Sequence, residues 1–166
     1  TYKQTQETMH YLNASAKIID EIQINSFDQN LVKNVEANID NLDSLITLIS
    51  DSFYNTYEYL TSNEQDELSI LVMAGSWIEA LYITSQISII SADNQKIVEI
   101  INEQSTSLDK LIEVMVPVSE SEMSADIFNE LLVLQGIYRD AGGDVSGEKL
   151  EKLILQTEKI RAQIVS

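Results

Sequence analysis

The chain has 166 residues, with 27 acidic against 10 basic side chains and a formal net charge of −17. A surface of that sign repels phosphate backbones and anionic headgroups, which argues against nucleic acid as a partner and against direct binding of the folded domain to an anionic membrane. The absence of cysteine removes thiol catalysis, disulfides and thiolate metal sites, while one Pro and five Gly leave too little turn punctuation for a β protein.

Leu, Ile, Glu, Gln and Ala dominate, and no period-two alternation is found, so an all-α fold is predicted, as one domain over residues 1–166. Apolar spacing predicts six helices. The first covers about 4–23, with Met9, Leu12, Ala16, Ile19 and Ile22 on one stripe. The second covers about 29–60 behind an Asp28 cap, with the stripe Leu31, Val35, Ile39, Leu42, Ile46, Ile49, Phe53 and Leu60. Ser62 or Asn63 is expected to cap the third, with Glu64, Asp66 and Glu67 near the positive end of its dipole.

That third helix holds the most distinctive stretch of the chain, residues 68–92, where Glu79 is the one charge. The stretch is long enough to cross a bilayer. A central acid alone costs about 2.5–3.5 kcal/mol on insertion, and several Ser, Thr and Gln add to it. A helix buried on most of its circumference is the better reading. Leu71, Ile78 and Leu81 are its expected inaccessible residues.

Asp93 is expected to cap the fourth helix, which carries Ile97, Ile101, Leu108, Leu111, Ile112 and Met115. Pro117 and the polar run 119–124 form a linker. The fifth helix, about 125–139, presents Ile127, Leu131, Leu134 and Tyr138 and stops at Gly142-Gly143. The sixth starts at Ser146 with Leu150, Leu153, Ile154, Ile160 and Ile164. Short connections force antiparallel neighbours, so an up-down bundle is predicted, with a four-helix core and a C-terminal helical hairpin.

Catalytic constellations are scarce. The single histidine, His10, rules out paired Glu-x-x-His metal sites, and no Gly-rich phosphate loop occurs. No metal or cofactor is implied, and the chain is not expected to be an enzyme. Glu79 leads the candidate binding residues. It shares a helix face with Leu68, Val72, Gly75, Tyr82 and Gln86, and Gly75 would let a neighbour approach the backbone. Asn34, Asn38 and Asn41 form a polar row on the second helix, so Asn41 is a candidate partner across the bundle. Phe53, Tyr54, Tyr57 and Tyr59 cluster at that helix's end, and with Trp77 they could line a cleft for an apolar or sugar-like ligand. Three readings of Glu79 stand side by side: a buried hydrogen-bonded carboxylate that fixes register, a partly exposed acid, and a ligand-binding group. The tentative ligand set is Gly75, Trp77, Glu79, Tyr82, Tyr57 and Asn41.

The segment Gly75-Ser76-Trp77-Ile78-Glu79-Ala80-Leu81-Tyr82-Ile83, with Asn41-Leu42-Asp43-Ser44-Leu45 and the aromatics of 53–59, resembles a family of uncharacterised exported, lipoprotein-like helical proteins of Gram-negative bacteria. The likeness covers about two thirds of the chain and implies a periplasmic, outer-membrane-anchored or secreted location. Ser76 stands where a second glycine would be expected. The chain opens on Thr1 rather than Met, so it is processed or trimmed and an export signal could have preceded it. The leading expectation is therefore a non-enzymatic envelope protein acting as a binding or interaction module for an unknown protein or small molecule. The alternative is a small-ligand sensor or carrier with a pocket near Trp77, Glu79 and Tyr82.

Overall fold

The computed structural model describes residues 30–91 and 95–165, together with residues 6, 10, 13–15, 17 and 18 ahead of them. Those few leading positions are helical; the remainder of the predicted first helix, with the Asp28 and Asp93 caps, lies outside the described residues. Among the described residues every regular element is a helix, so the protein is an all-α helical bundle. Its backbone clusters into two compact units, Thr1–Ser69 and Ile70–Ser166.

In the first unit the helix predicted over 29–60 is broken. Helix α1 spans Leu31–Ala37 and α2 spans Leu42–Ser62. The asparagines of the expected polar row make the break. Asn38 Nδ2 donates to the Asn34 carbonyl at 2.8 Å, closing α1. Asn41 Oδ1 accepts from the Ser44 amide at 3.1 Å, opening α2. Short side-chain amides compete with the helical ladder in this way and prefer its ends.

The break also resets the face that α2 turns inward. Ile46, Ile49 and Phe53, expected on the buried stripe, are exposed. The covered row is Leu45, Leu48, Ser52, Thr56 and Leu60, about one residue earlier around the helix. At its end Ser62 closes α2 rather than capping the next helix. Asn63 Nδ2 donates back to the Tyr59 carbonyl at 2.7 Å, and Glu64 takes a left-handed φ of 60°. Helix α3, Asp66–Ile90, then starts with Asp66 and Glu67 in its first turn, where the dipole favours them.

The second unit contains α3 from Ile70 onward, α4 (Gln95–Met115), a 3₁₀ turn at Val116–Val118, α5 (Ala125–Ala141) and α6 (Glu148–Val165). Pro117 lies inside the 3₁₀ turn, where a missing amide donor costs least. Gly142, at φ +61°, ends α5 in the left-handed conformation that a side chain resists. Consecutive helices α4, α5 and α6 pack against one another. The C-terminal hairpin is part of this core: Leu131, Leu134 and Tyr138 from α5 and Leu153 and Ile160 from α6 join Ile101, Leu108 and Met115 from α4. Two polar ties hold the connections. Tyr138 donates its hydroxyl to the Ile101 carbonyl at 2.9 Å, and its burial pushes the phenol well above the ordinary range. The Val145 amide donates to Asn102 Oδ1 at 2.7 Å, pinning the α5–α6 loop to α4.

Helix α3 is buried on a narrow strip, not around most of its circumference. Ala74, Ile78, Leu81, Ser85 and Ser88 face inward. Leu71, expected to be inaccessible, is only half-buried. In the last two turns, past Leu81, the usual order is inverted. Serines 85 and 88 are buried, while Ile83, Ile87 and Ile90 keep 50, 44 and 83% of their surface exposed.

Candidate functional site

Glu79, Tyr82 and Gln86 follow one another at helical spacing on α3, as the sequence predicts, and across from them stands α6. Arg161 Nε donates to Glu79 Oε2 at 2.7 Å, and Arg161 Nη2 donates to Glu79 Oε1 at 3.3 Å. The two-pronged contact uses the planar guanidinium as a fork on the carboxylate. The Arg161 guanidinium carbon also lies 4.4 Å from the centroid of the Tyr82 ring, within cation–π range. One turn further along α3, Gln86 Nε2 donates to Glu158 Oε1 at 2.8 Å. Glu158 and Arg161, three residues apart, share a face of α6 and so meet one face of α3.

Glu79 is therefore not a buried acid held by Asn or Ser donors. Its side chain keeps 43% exposure and Arg161 keeps 34%. Its oxygens are engaged by a permanent cation, which leaves little for acid–base work or for a metal. Among the described residues no cluster of three or more His, Asp or Glu could hold a metal ion.

The other candidate residues separate. Asn41 and Tyr57 belong to the first unit, where Asn41 is spent on capping α2 and Tyr57 is exposed. Phe53 and Tyr54 are exposed beside it, and Tyr54 donates its hydroxyl to Glu58 at 3.3 Å. Gly75 has open space where a Cβ would stand, with nothing within 4 Å, so no close approach explains it. Trp77 lies two residues from Glu79, hence on the opposite side of α3. It lines a cleft of about 260 Å³ with Met73 from α3 and Ser107, Lys110, Leu111 and Val114 from α4. Its indole Nε1 is shut off from solvent and has no acceptor among the described residues. The single pocket expected around Trp77, Glu79 and Tyr82 is thus two places: an ion-paired seam toward α6 and an apolar cleft toward α4. A third depression of about 410 Å³ lies at the α1–α2 break, lined by Asn38, Asp43, Ser44, Thr47 and Leu48.

Arg161 and Lys110 escape sequence reasoning because both sit on helices legible only by their apolar stripes. One signal for Arg161 existed. Arginine occurs only twice in the chain, at 139 and 161, so an isolated acid on an apolar helix had few guanidinium partners to choose from.

A second ion-paired seam joins α5 to α6. Lys159 Nζ lies 2.6 and 2.9 Å from the two oxygens of Glu130, and Gln156 donates to the same carboxylate. The Lys159 bond holds the Glu130 carboxyl below the usual range, against an opposing push from its partial burial.

No known protein family matches this chain, and neither a curated protein nor a solved structure does.

Proposed function

We propose that the protein is a non-enzymatic interaction module whose docking face is the isoleucine row of α3, Ile83, Ile87 and Ile90. The carrying observation is the inverted burial at the C-terminal end of that helix: Ser85 and Ser88 inside, Ile83, Ile87 and Ile90 outside. Evolution of a merely soluble helix would place those residue types the other way round. Ile83, Ile87 and Ile90 recur at i, i+4 and i+7, the spacing of anchors used when one helix lies along another. Helix α2 carries a comparable exposed row in Ile46, Ile49, Phe53 and Tyr57, rich in the aromatic type that dominates interface energetics. On a chain with a net charge of −17, the fitting partner is an amphipathic helical segment with basic flanks. An envelope location, implied by the likeness at Gly75–Ile83 to exported lipoprotein-like proteins, is part of the same proposal.

The test uses a synthetic Leu/Lys amphipathic peptide and a Gln/Lys peptide of equal charge. The Leu/Lys peptide should bind and gain helicity by circular dichroism, and Ile87→Asp should weaken it by about tenfold or more. Equal binding of both peptides, or no effect of Ile87→Asp, would reduce the interaction to bulk charge and overturn the docking face.

A further inference from the structure

The isoleucine row of α3 extends toward the start of the helix in smaller residues. Ser76, Ala80, Ile83, Ile87 and Ile90 are all exposed and recur at steps of four, three, four and three. The buried strip Ala74, Ile78, Leu81, Ser85 and Ser88 has the same spacing and lies on the opposite side of the helix. A four-three repeat is the seam along which one helix lies against another over its whole length. The exposed seam is graded in size, small at Ser76 and Ala80 and large at Ile83, Ile87 and Ile90. It is also free of acids. From Leu68 to Ile90 the one charge is Glu79, at the seam's border, and Arg161 neutralises it. Ser76 and Thr84 donate their hydroxyls to the Val72 and Ala80 carbonyls at 2.8 Å each, so neither hydrogen is stranded when the face is covered.

We infer, resting on the reading of the isoleucine row as a docking face, that with no partner bound this seam is closed by the same seam of a second copy of the chain. The two α3 helices run antiparallel about a two-fold axis between Ala80 and Ile83. A two-fold interface must be self-complementary, and the size gradient makes it so. Ala80 meets Ile83 of the second copy and Ser76 meets Ile87, each pair occurring twice, while half-buried Met73 meets Ile90. Each large side chain of the central layers then faces a small one, and the backbones approach closely. A parallel pair would instead stack isoleucine on isoleucine at one end and leave a gap between the serines and alanines at the other. Charge selects the same face. Two chains of net charge −17 repel wherever acids meet, and this seam brings none together. One helix pair is smaller than the roughly 1,600 Å² interface of stable complexes, so the dimer is weak and needs salt to screen the rest of the surface.

The chain has no cysteine, so introduced thiols report the register without interference. Ser76→Cys and Ile87→Cys alter exposed positions. In the inferred pair, position 76 lies opposite position 87 of the second copy, whereas the two copies of position 76 stand about 16 Å apart along the axis. A disulfide needs Cα atoms within about 7 Å. Oxidising an equimolar mixture of the two variants at about 0.5 M sodium chloride should therefore give a covalent dimer, at least about fivefold faster than either variant alone. Sedimentation equilibrium of the unaltered protein should show a dimer with a dissociation constant of about 10–500 μM at that salt, weakened about tenfold at about 0.01 M. Ala80→Glu, also exposed, should abolish the dimer and leave the circular dichroism spectrum unchanged. A monomer up to about 1 mM at high salt would overturn the pairing and leave binding of the Leu/Lys peptide to stand on its own. Self-crosslinking of Ser76→Cys as fast as the mixture would overturn the antiparallel register. A dimer that the Leu/Lys peptide neither binds nor dissociates would leave the pairing in place and overturn the basic helical partner, so the two readings fail separately.

Discussion

At the scale of single residues, the Glu79–Arg161–Tyr82 contact joins two weak attractions. An exposed ion pair contributes about 0.2–1 kcal/mol, and a solvent-accessible cation–π contact about 0.5–1 kcal/mol. Both side chains are about a third or more exposed, so water screens the pair and the lower half of those ranges applies. Glu79→Gln should therefore keep the fold and cost about 1 kcal/mol or less. In a double-mutant cycle with Arg161→Gln, the coupling should be about 0.5 kcal/mol and shrink in high salt. Coupling above about 2 kcal/mol in urea melts would mean that the pair is more deeply buried than its exposure shows. The role left to Glu79 is register. It meets an α6 residue whose neighbour one turn back, Glu158, meets Gln86, and a slip of one residue breaks both contacts.

At the scale of elements, helix α3 shows how much of the fold was legible in the sequence. Its existence and near-complete extent came from the absence of charge over 68–92 apart from Glu79. Its orientation did not, because a helix apolar all round carries no moment to say which side faces in. Of the inward strip, Ala74, Ile78 and Leu81 pack into the core cluster with residues of α4, α5 and α6, and Ser85 and Ser88 continue the same side of the helix. Small residues permit that packing, and periodicity cannot announce it. The same limit explains the α2 stripe. Ile46, Ile49 and Phe53 fit a three-four pattern continued from Leu31 and Val35, but Asn38 and Asn41 interrupt the helix and turn the rest of the stripe outward. The candidate site was legible only as Glu79 and its face, since Arg161 and Lys110 lie far along the chain. The strip makes a graded prediction. Leu81→Ala, at a position 2% exposed and inside the core cluster, should cost about 2–5 kcal/mol. Leu71→Ala, half-buried, should cost clearly less. Equal costs in matched denaturant melts would contradict the strip.

At the scale of the whole molecule, helix α6 is the exception to an acidic chain. It holds four of the ten cations, Lys149, Lys152, Lys159 and Arg161, against three acids. Its cations answer Glu79 on α3, Glu130 on α5 and its own Glu148. Elsewhere acids dominate. The segment Thr1–Ser69 carries three cations against twelve acids, and Ile70–Ser166 seven against fifteen. Added salt then acts in two directions. It screens the repulsion among the acids, which stabilises, and it screens the α6 ion pairs to Glu79, Glu130 and Glu148, which destabilises only slightly because water already weakens them. Repulsion prevails, because the net charge of −17 exceeds severalfold the number of those α6 pairs. Raising ionic strength from about 0.01 to 0.15 M shortens the Debye length from about 30 to 8 Å, enough to uncouple charges on different helices while adjacent ones still interact. The melting temperature at neutral pH should rise over that range. Amide exchange should slow more within 1–69, where acids outnumber bases fourfold, than within 70–166, where α6 already offsets part of the charge. A melting temperature lowered by sodium chloride would show that the ion-paired seams of α6 outweigh the repulsion, and protection gained mainly in 70–166 would place that repulsion in the wrong unit.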